Sequence, residues 1–170
     1  GELLSSYIIA ATANAHQLSI KWVDSRKLII TNAQYGNAAV LFDKTNHAIQ
    51  SYLKENNASV YLAPGFIAAD EKGYTTTLGR GGSDYTGAIY AAATHATDLE
   101  IWTDVSGMMT ADPRQVQHPK HIERISYQEA MELSHFGAKI IFYRFLILGN
   151  IFCHIEQLTG NFELFFWAVR

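Results

Sequence analysis

Apolar positions near the start of the chain recur at helical spacing. Leu3, Leu4, Tyr7, Ile8 and Ala11 fall at i, i+1, i+4, i+5 and i+8. This predicts a helix from Gly1 to His16 with that stripe facing a core. Ser19 to Thr31 alternates loosely, which predicts a short strand, a turn near Asp24 and Ser25, and a second strand through Leu28–Ile30. Asn32 to Asn37 reads as a turn and Ala38 to Phe42 as a strand. Asp43 is expected to cap a helix running to about Asn56 that turns Ile49, Tyr52 and Leu53 inward. Ser59 to Ala63 is apolar and partly β-branched, and Pro64-Gly65 closes it. That pattern predicts a buried parallel strand with a loop at its carboxyl end. Ala69 to Gly73 is a polar turn between two expected hairpin strands.

Further on, an alanine-rich segment from Ser83 to Thr97 predicts a helix with Ile89, Ala92 and Ala96 on one face. Leu99 to Thr103 predicts a second buried strand ending at Thr103-Asp104. Ile122 to Ser126 predicts a further strand, and Tyr127 to His135 a helix with Ala130, Met131 and Ser134 on one face. Strands alternating with helices imply an α/β fold, here a three-layer αβα sandwich around a mainly parallel sheet. Ser59–Ala63 and Leu99–Thr103 are its expected central strands. Such domains seldom open on a helix, so a missing N-terminal part is expected. Residues 142–170 are rich in aromatics and show no clear period.

Composition narrows the function classes. In 170 residues, 48% hydrophobic and 17% charged content belong to a globular chain with a real core. A net charge of −3 without a basic block argues against nucleic acid as partner. The single cysteine, Cys153, allows no internal disulfide and fits a reducing, cytoplasmic setting. The start lacks the basic region of a signal peptide. The most apolar stretch, Ile140 to Cys153, is short and carries Arg144, so no membrane partner is expected. His118 and His121 are spaced i, i+3, but no cysteine or carboxylate cluster supports a metal site there.

The most informative stretch is Thr75 to Gly87, TTTLGRGGSDYTG. Gly79, Gly81 and Gly82 let the backbone take positive φ and approach a ligand closely. Ser83 or Asp84 is expected as the N-cap of the following helix. Free N–H groups and partial positive charge at a helix start favour an anion. Arg80 adds a planar donor fork suited to carboxylate or phosphate. Asp84 places a negative charge in that cationic loop. The mixture suits a zwitterion, holding a carboxylate and an ammonium together. A glycine-rich connector that merely caps a buried helix is the plain alternative for glycine and serine alone.

The full string resembles the substrate-binding loop of aspartokinases, in the amino-acid kinase superfamily. GELLSS at the start, Trp22-Val23-Asp24-Ser25-Arg26, Gly65-Phe66-Ile67, WTDVSGMMTADPR and SYQEAMELSHFGAK are similar to the same family. The last segment is most like members fused to homoserine dehydrogenase. The resemblance runs from Gly1 to about Ile141. It implies a catalytic domain over residues 1–141, incomplete at both ends, and an unmatched tail over 142–170.

The implied reaction is ATP-dependent phosphorylation of the side-chain carboxylate of L-aspartate, the first step toward lysine, threonine and methionine. Arg80 and Asp84 would hold the substrate's carboxylate and ammonium as the catalytic pair, with Gly81, Gly82, Ser83 and Glu2 completing the substrate site. Thr103, Asp104, Met109, Arg114 and Lys139 would line the nucleotide. A tyrosine is frequent where this chain has Met109, though methionine also packs on an adenine face. Mg²⁺ would accompany ATP, held by phosphate oxygens and water, with no metal ligands from the protein. The full-length parent is open to homo-oligomerisation. The family's lysine facing the transferring phosphate lies before the equivalent of Gly1, and one such charge is worth roughly 10²–10³ in rate. Three alternatives stay open: a kinase for glutamate derivatives or a nucleoside monophosphate, a fragment that binds aspartate or nucleotide without turnover, and a remnant without function.

Overall fold

The computed structural model describes residues 1–102, 109–112, 115–122, 124–126, 128–130, 132, 152–154 and 167–169. They fall into two compact units, residues 1–86 and 87–170. In the first, helix α1 (Glu2–Ala15) precedes strand β1 (Ile20–Trp22), a 3₁₀ turn (Ser25–Lys27), β2 (Ile30–Thr31) and helix α2 (Phe42–Glu55). Strands β3 (Val60–Leu62), β4 (Ile67–Asp70) and β5 (Thr75–Thr77) follow. Helix α3 (Gly82–Thr94) carries the chain into the second unit, which holds β6 (Asp98–Ile101), β7 (Phe152–His154) and β8 (Trp167–Val169).

Pairing in the first unit is mostly parallel. β1 pairs with β3 from Ile20↔Val60 to Trp22↔Leu62. β2 pairs with β4 in parallel, and β4 with β5 in an antiparallel hairpin whose register includes Ile67↔Thr77. Asp70, buried at the hairpin end, accepts from the backbone N–H groups of Lys72 and Tyr74 at 3.0 and 2.9 Å, which forms the turn expected there. In the second unit β6 lies between β7, parallel, and β8, antiparallel. β6 is therefore a central strand, as expected. β3 pairs along one side with β1 and leaves Val60 48% exposed, so it is less buried than its apolar run predicts.

Helix α1 forms where the period predicts it, yet it buries a different face. Ser6 and Ala10 are buried, while Leu4, Tyr7 and Ile8 are 63%, 58% and 54% exposed. The reason lies in its seat on β1. Trp22 Nε1–H donates to Ser6 Oγ at 3.0 Å. Asn14 donates to the Ile20 carbonyl and accepts from the Ile20 N–H, both at 2.9 Å. Small side chains at Ser6 and Ala10 let the helix approach closely enough for these bonds. The Tyr7 ring stays outside and meets Trp22 edge-on at 5.6 Å.

Three further expectations are corrected. Ala38 to Phe42 is not a strand, since only Val40 makes a single antiparallel bridge, to Thr31. The segment bends into α2 immediately afterwards, and Leu41 rather than Asp43 is the N-cap. Ile122 to Ser126 is not a strand among its described residues. Ser126 instead starts a helical turn whose described residues are 128–130 and 132. Its hydroxyl and N–H both donate to Glu129, at 2.6 and 2.9 Å, and its Oγ accepts from the Glu129 N–H at 3.3 Å, a capping box. In α3 the most buried positions are Ala88, Ile89, Ala91 and Ala93, while Ala92 is half-buried.

Candidate functional site

Strand β5 delivers the glycine-rich segment, and the Leu78 N–H donates to the Phe66 carbonyl at 2.9 Å. Gly79 and Gly81 then take φ of +78° and +71°, a region closed to most side chains. The Gly82 N–H donates back to Gly79 O at 3.0 Å, and the Tyr85 N–H to Gly81 O at 3.0 Å. Gly81 is thus the residue whose carbonyl accepts the first helical bond. This corrects the expected cap: Ser83 and Asp84 lie inside the first turn of α3, because the helix begins at Gly82. Gly82 must lack a side chain, since a Cβ there would lie 2.9 Å from Phe66 Cδ2 and 3.1 Å from Leu78 Cβ.

The turn presents donors and an acceptor together. The backbone N–H groups of Ser83 and Asp84 make no hydrogen bond among the described residues, as first-turn amides do. Arg80 is exposed and has no ion-pair partner among them. The Asp84 side chain is half-buried and likewise has no ion-pair partner there. Burial pushes its carboxyl up from 3.8 to about 6. An ammonium group placed beside it would reverse that shift by favouring the charged form. Amides and a guanidinium suit a carboxylate and the Asp84 carboxylate suits an ammonium, so the turn is a cradle of complementary charges.

A rigid backing supports this turn, and none of its parts was singled out from the sequence as site residues. Phe66 takes φ of +68°, uncommon for a side-chain-bearing residue and a sign of an imposed conformation. Its N–H donates to Thr86 Oγ1 at 3.0 Å, and that hydroxyl donates to Gly82 O at 2.7 Å. Thr86 is a buried clasp between the strand end and the helix start. Gly65, just before, has room for no more than hydrogen against Ser83. The buried Ser25 hydroxyl donates to Pro64 O at 2.6 Å and ties the ends of the parallel strands β1 and β3 together. A threonine four residues after a helix-start glycine is the one sequence signal that could have pointed to the clasp.

Other expected residues are placed as follows. Glu2 lies exposed in the first turn of α1 and makes no ion pair among the described residues. Asp24 is held below the usual carboxylate range by Arg26, whose Nη2 lies 2.7 Å from it. Met109 is half-buried and pairs with His121 in an isolated antiparallel bridge. Thr103, Asp104, Arg114 and Lys139 lie outside the described residues, as does most of the expected tail. Among the described residues no group of three or more His, Cys, Asp or Glu gathers into a metal site, and no helix is long and apolar enough to cross a membrane.

Comparison with known proteins meets this geometry. Lysine-sensitive aspartokinase 3 of Escherichia coli is 41% identical over 142 residues, covering 83% of this chain and 32% of that protein. The bifunctional aspartokinase/homoserine dehydrogenase of Haemophilus influenzae is 40% identical over 164 residues, covering 95% of the chain and 20% of that protein. The crystal structure of E. coli aspartokinase III in complex with aspartate and ADP superposes with a TM-score of 0.81 at 36% identity, over 91% of this chain and 36% of that one. The chain therefore spans about a third or less of the length of these relatives. The α/β fold with parallel pairing is that of these neighbours. A sequence profile of the amino acid kinase family matches residues 1–154, and on that match, which takes in the whole cradle, the chain belongs to the amino acid kinase family.

Proposed function

We propose that this chain forms the aspartate-binding part of an ATP:L-aspartate phosphotransferase. The γ-phosphoryl group of ATP passes to the side-chain carboxylate of L-aspartate, giving 4-phospho-L-aspartate and ADP. The observation that carries the reading is the pairing of opposite charges at the start of α3: Arg80 and two free amides beside a desolvated Asp84. Arg80 grips the α-carboxylate, the Ser83 and Asp84 amides share it, and Asp84 takes the ammonium. The side-chain carboxylate then projects toward the nucleotide as nucleophile. It is ionised at pH 7, so no catalytic base is needed. Positioning is the main contribution, as is general for phosphoryl transfer.

Thr103, Asp104, Met109, Arg114 and Lys139 are assigned to ATP. Mg²⁺ travels with the nucleotide and neutralises phosphate charge when bound, and no step is routed through protein ligands to it. The product feeds lysine, threonine and methionine synthesis, a cytoplasmic role. Aspartyl-hydroxamate formation from ATP, Mg²⁺ and a panel of amino acids tests the reading. Aspartate is expected as the preferred acceptor. Strong turnover of another acid with none of aspartate would reassign the substrate.

A second reading is binding without turnover. It is favoured by the assignment of the cradle itself, whose groups, Arg80, Asp84 and the Ser83 and Asp84 amides, are all given to the substrate's backbone end. Calorimetric binding of aspartate with no hydroxamate formed supports this reading, and turnover by the isolated chain rejects it.

A further inference from the structure

We propose that Asn37 is a positioning residue for the glycine-rich turn, setting where Arg80 meets the substrate carboxylate. The inference rests on the aspartate-binding reading above. Its starting point is Gly79, whose φ is +78°. A Cβ built there would lie 2.6 Å from Asn37 Oδ1, 3.3 Å from Asn37 Cγ and 3.4 Å from the Gly36 carbonyl. The side of Gly79 that any other residue would fill is therefore closed by the tip of the 32–37 loop.

That loop is anchored rather than free. Asn32 Oδ1 accepts from the N–H groups of Gln34 and Ala39 at 3.2 and 3.0 Å, and the Asn32 N–H donates to Ala39 O at 2.9 Å. The Ala38 N–H donates to Thr77 O at 2.9 Å, laying the loop along the end of β5. The Tyr35 hydroxyl donates to Asp70 Oδ2 at 3.2 Å, and Asp70 is the residue that fixes the β4–β5 turn. The loop thus draws rigidity from the hairpin and passes it to Gly79.

Arg80 follows directly. Its side chain is exposed, without an ion pair among the described residues, so its aim depends on the backbone that carries it. Glycine's broad conformational freedom makes that backbone mobile unless a neighbour limits it. The Gly82-to-Gly79 bond limits it from one side and Asn37 from the other. Removing the Asn37 amide opens the space beside Gly79 and lets the 79–80 peptide rotate.

The test is a double-mutant cycle on aspartate affinity, measured by calorimetry on the full 170-residue chain, with Asn37→Ala, Arg80→Lys and the double variant. Asn37→Ala is expected to weaken aspartate three- to tenfold while leaving ATP within twofold. On the Arg80→Lys background the same change is expected to cost less than twofold, since the group it aims is gone. Additive losses, or no loss in the single variant, overturn the inference. Should Asn37→Ala not fold, Asn37→Ser, which shortens the arm, replaces it in the same cycle under the same criteria. If the unaltered chain takes up no aspartate, the proposed function falls and this inference with it. If it binds and the cycle is additive, this inference alone falls.

Discussion

The α-carbon of Gly65 rests directly on Ser83: a β-carbon there would stand 3.0 Å from both the Cα and the Cβ of Ser83. The loop after β3 and the first turn of α3 are therefore fitted together with space for hydrogen only. Gly65→Ala forces the helix start to move by a few tenths of an ångström against backbone, not against a flexible tip. Overpacking of this kind costs roughly 1–3 kcal/mol. It also shifts the Ser83 and Asp84 amides. Urea denaturation should show the loss of stability, and calorimetry a weaker grip on aspartate. Wild-type values in both would refute the fit.

Thr86 offers a second check. Its hydroxyl accepts from Phe66 N–H and donates to Gly82 O, and it is buried. Thr86→Val keeps the shape and strands both backbone groups. Leaving buried polar groups unpaired costs about 1–3 kcal/mol. Thr86→Ser should recover most of it. Equal melting temperatures for the valine and serine variants would show that the clasp contributes nothing.

The raised Asp84 pKa fixes the sign of a pH effect. Its folded value of about 6 lies above the ordinary 3.8. This group therefore favours the ligand-free fold fully below pH 3.8, and that contribution is lost as pH rises through 6. The whole shift corresponds to about 3 kcal/mol, which solvent contact at a half-buried group reduces to roughly 1–2 kcal/mol. Asp84→Asn should raise the melting temperature at pH 7 and converge with the unaltered chain near pH 4. Aspartate binding runs the other way. It needs the carboxylate, so affinity should fall as pH drops below 6, approaching tenfold per unit. A flat binding profile from pH 5 to 7 would remove Asp84 from the ammonium site.

Arg80→Lys keeps the charge and loses the planar fork. A charge-assisted bond of this kind contributes about 1.5–3 kcal/mol, so aspartate affinity should fall roughly tenfold to a hundredfold. Nucleotide affinity should hold, because the ATP contacts are assigned to other residues. A variant that loses ATP and keeps aspartate would reverse that division.

Local pattern in the sequence determined much of this protein. The spacing of Leu3, Tyr7 and Ile8 was enough to place α1, because a helical period is a local property of the sequence even where the face it marks stays exposed. The β4–β5 hairpin followed from its polar turn, and β6 from an apolar run. The glycine-rich segment with Arg80 and Asp84 was legible as a tight turn carrying both charges into a helix, because glycine freedom and charge are properties of single residues.

Tertiary structure alone decided which face of α1 is buried. The choice went to Ser6 and Ala10, because hydrogen bonds from Trp22 and Asn14 required a close approach that Leu4 and Tyr7 would block. It also moved the cap of α3 to Gly81, since the Gly79–Gly82 bond closes the turn before Ser83 can cap it. The contacts of Thr86, Gly65, Ser25 and Asn37 became visible only through partners 18 to 42 residues away in the chain, namely Phe66, Ser83, Pro64 and Gly79. No local rule reports a contact whose other half lies that far along the sequence. The fold supplies it by setting a strand end, a loop tip and a helix start side by side.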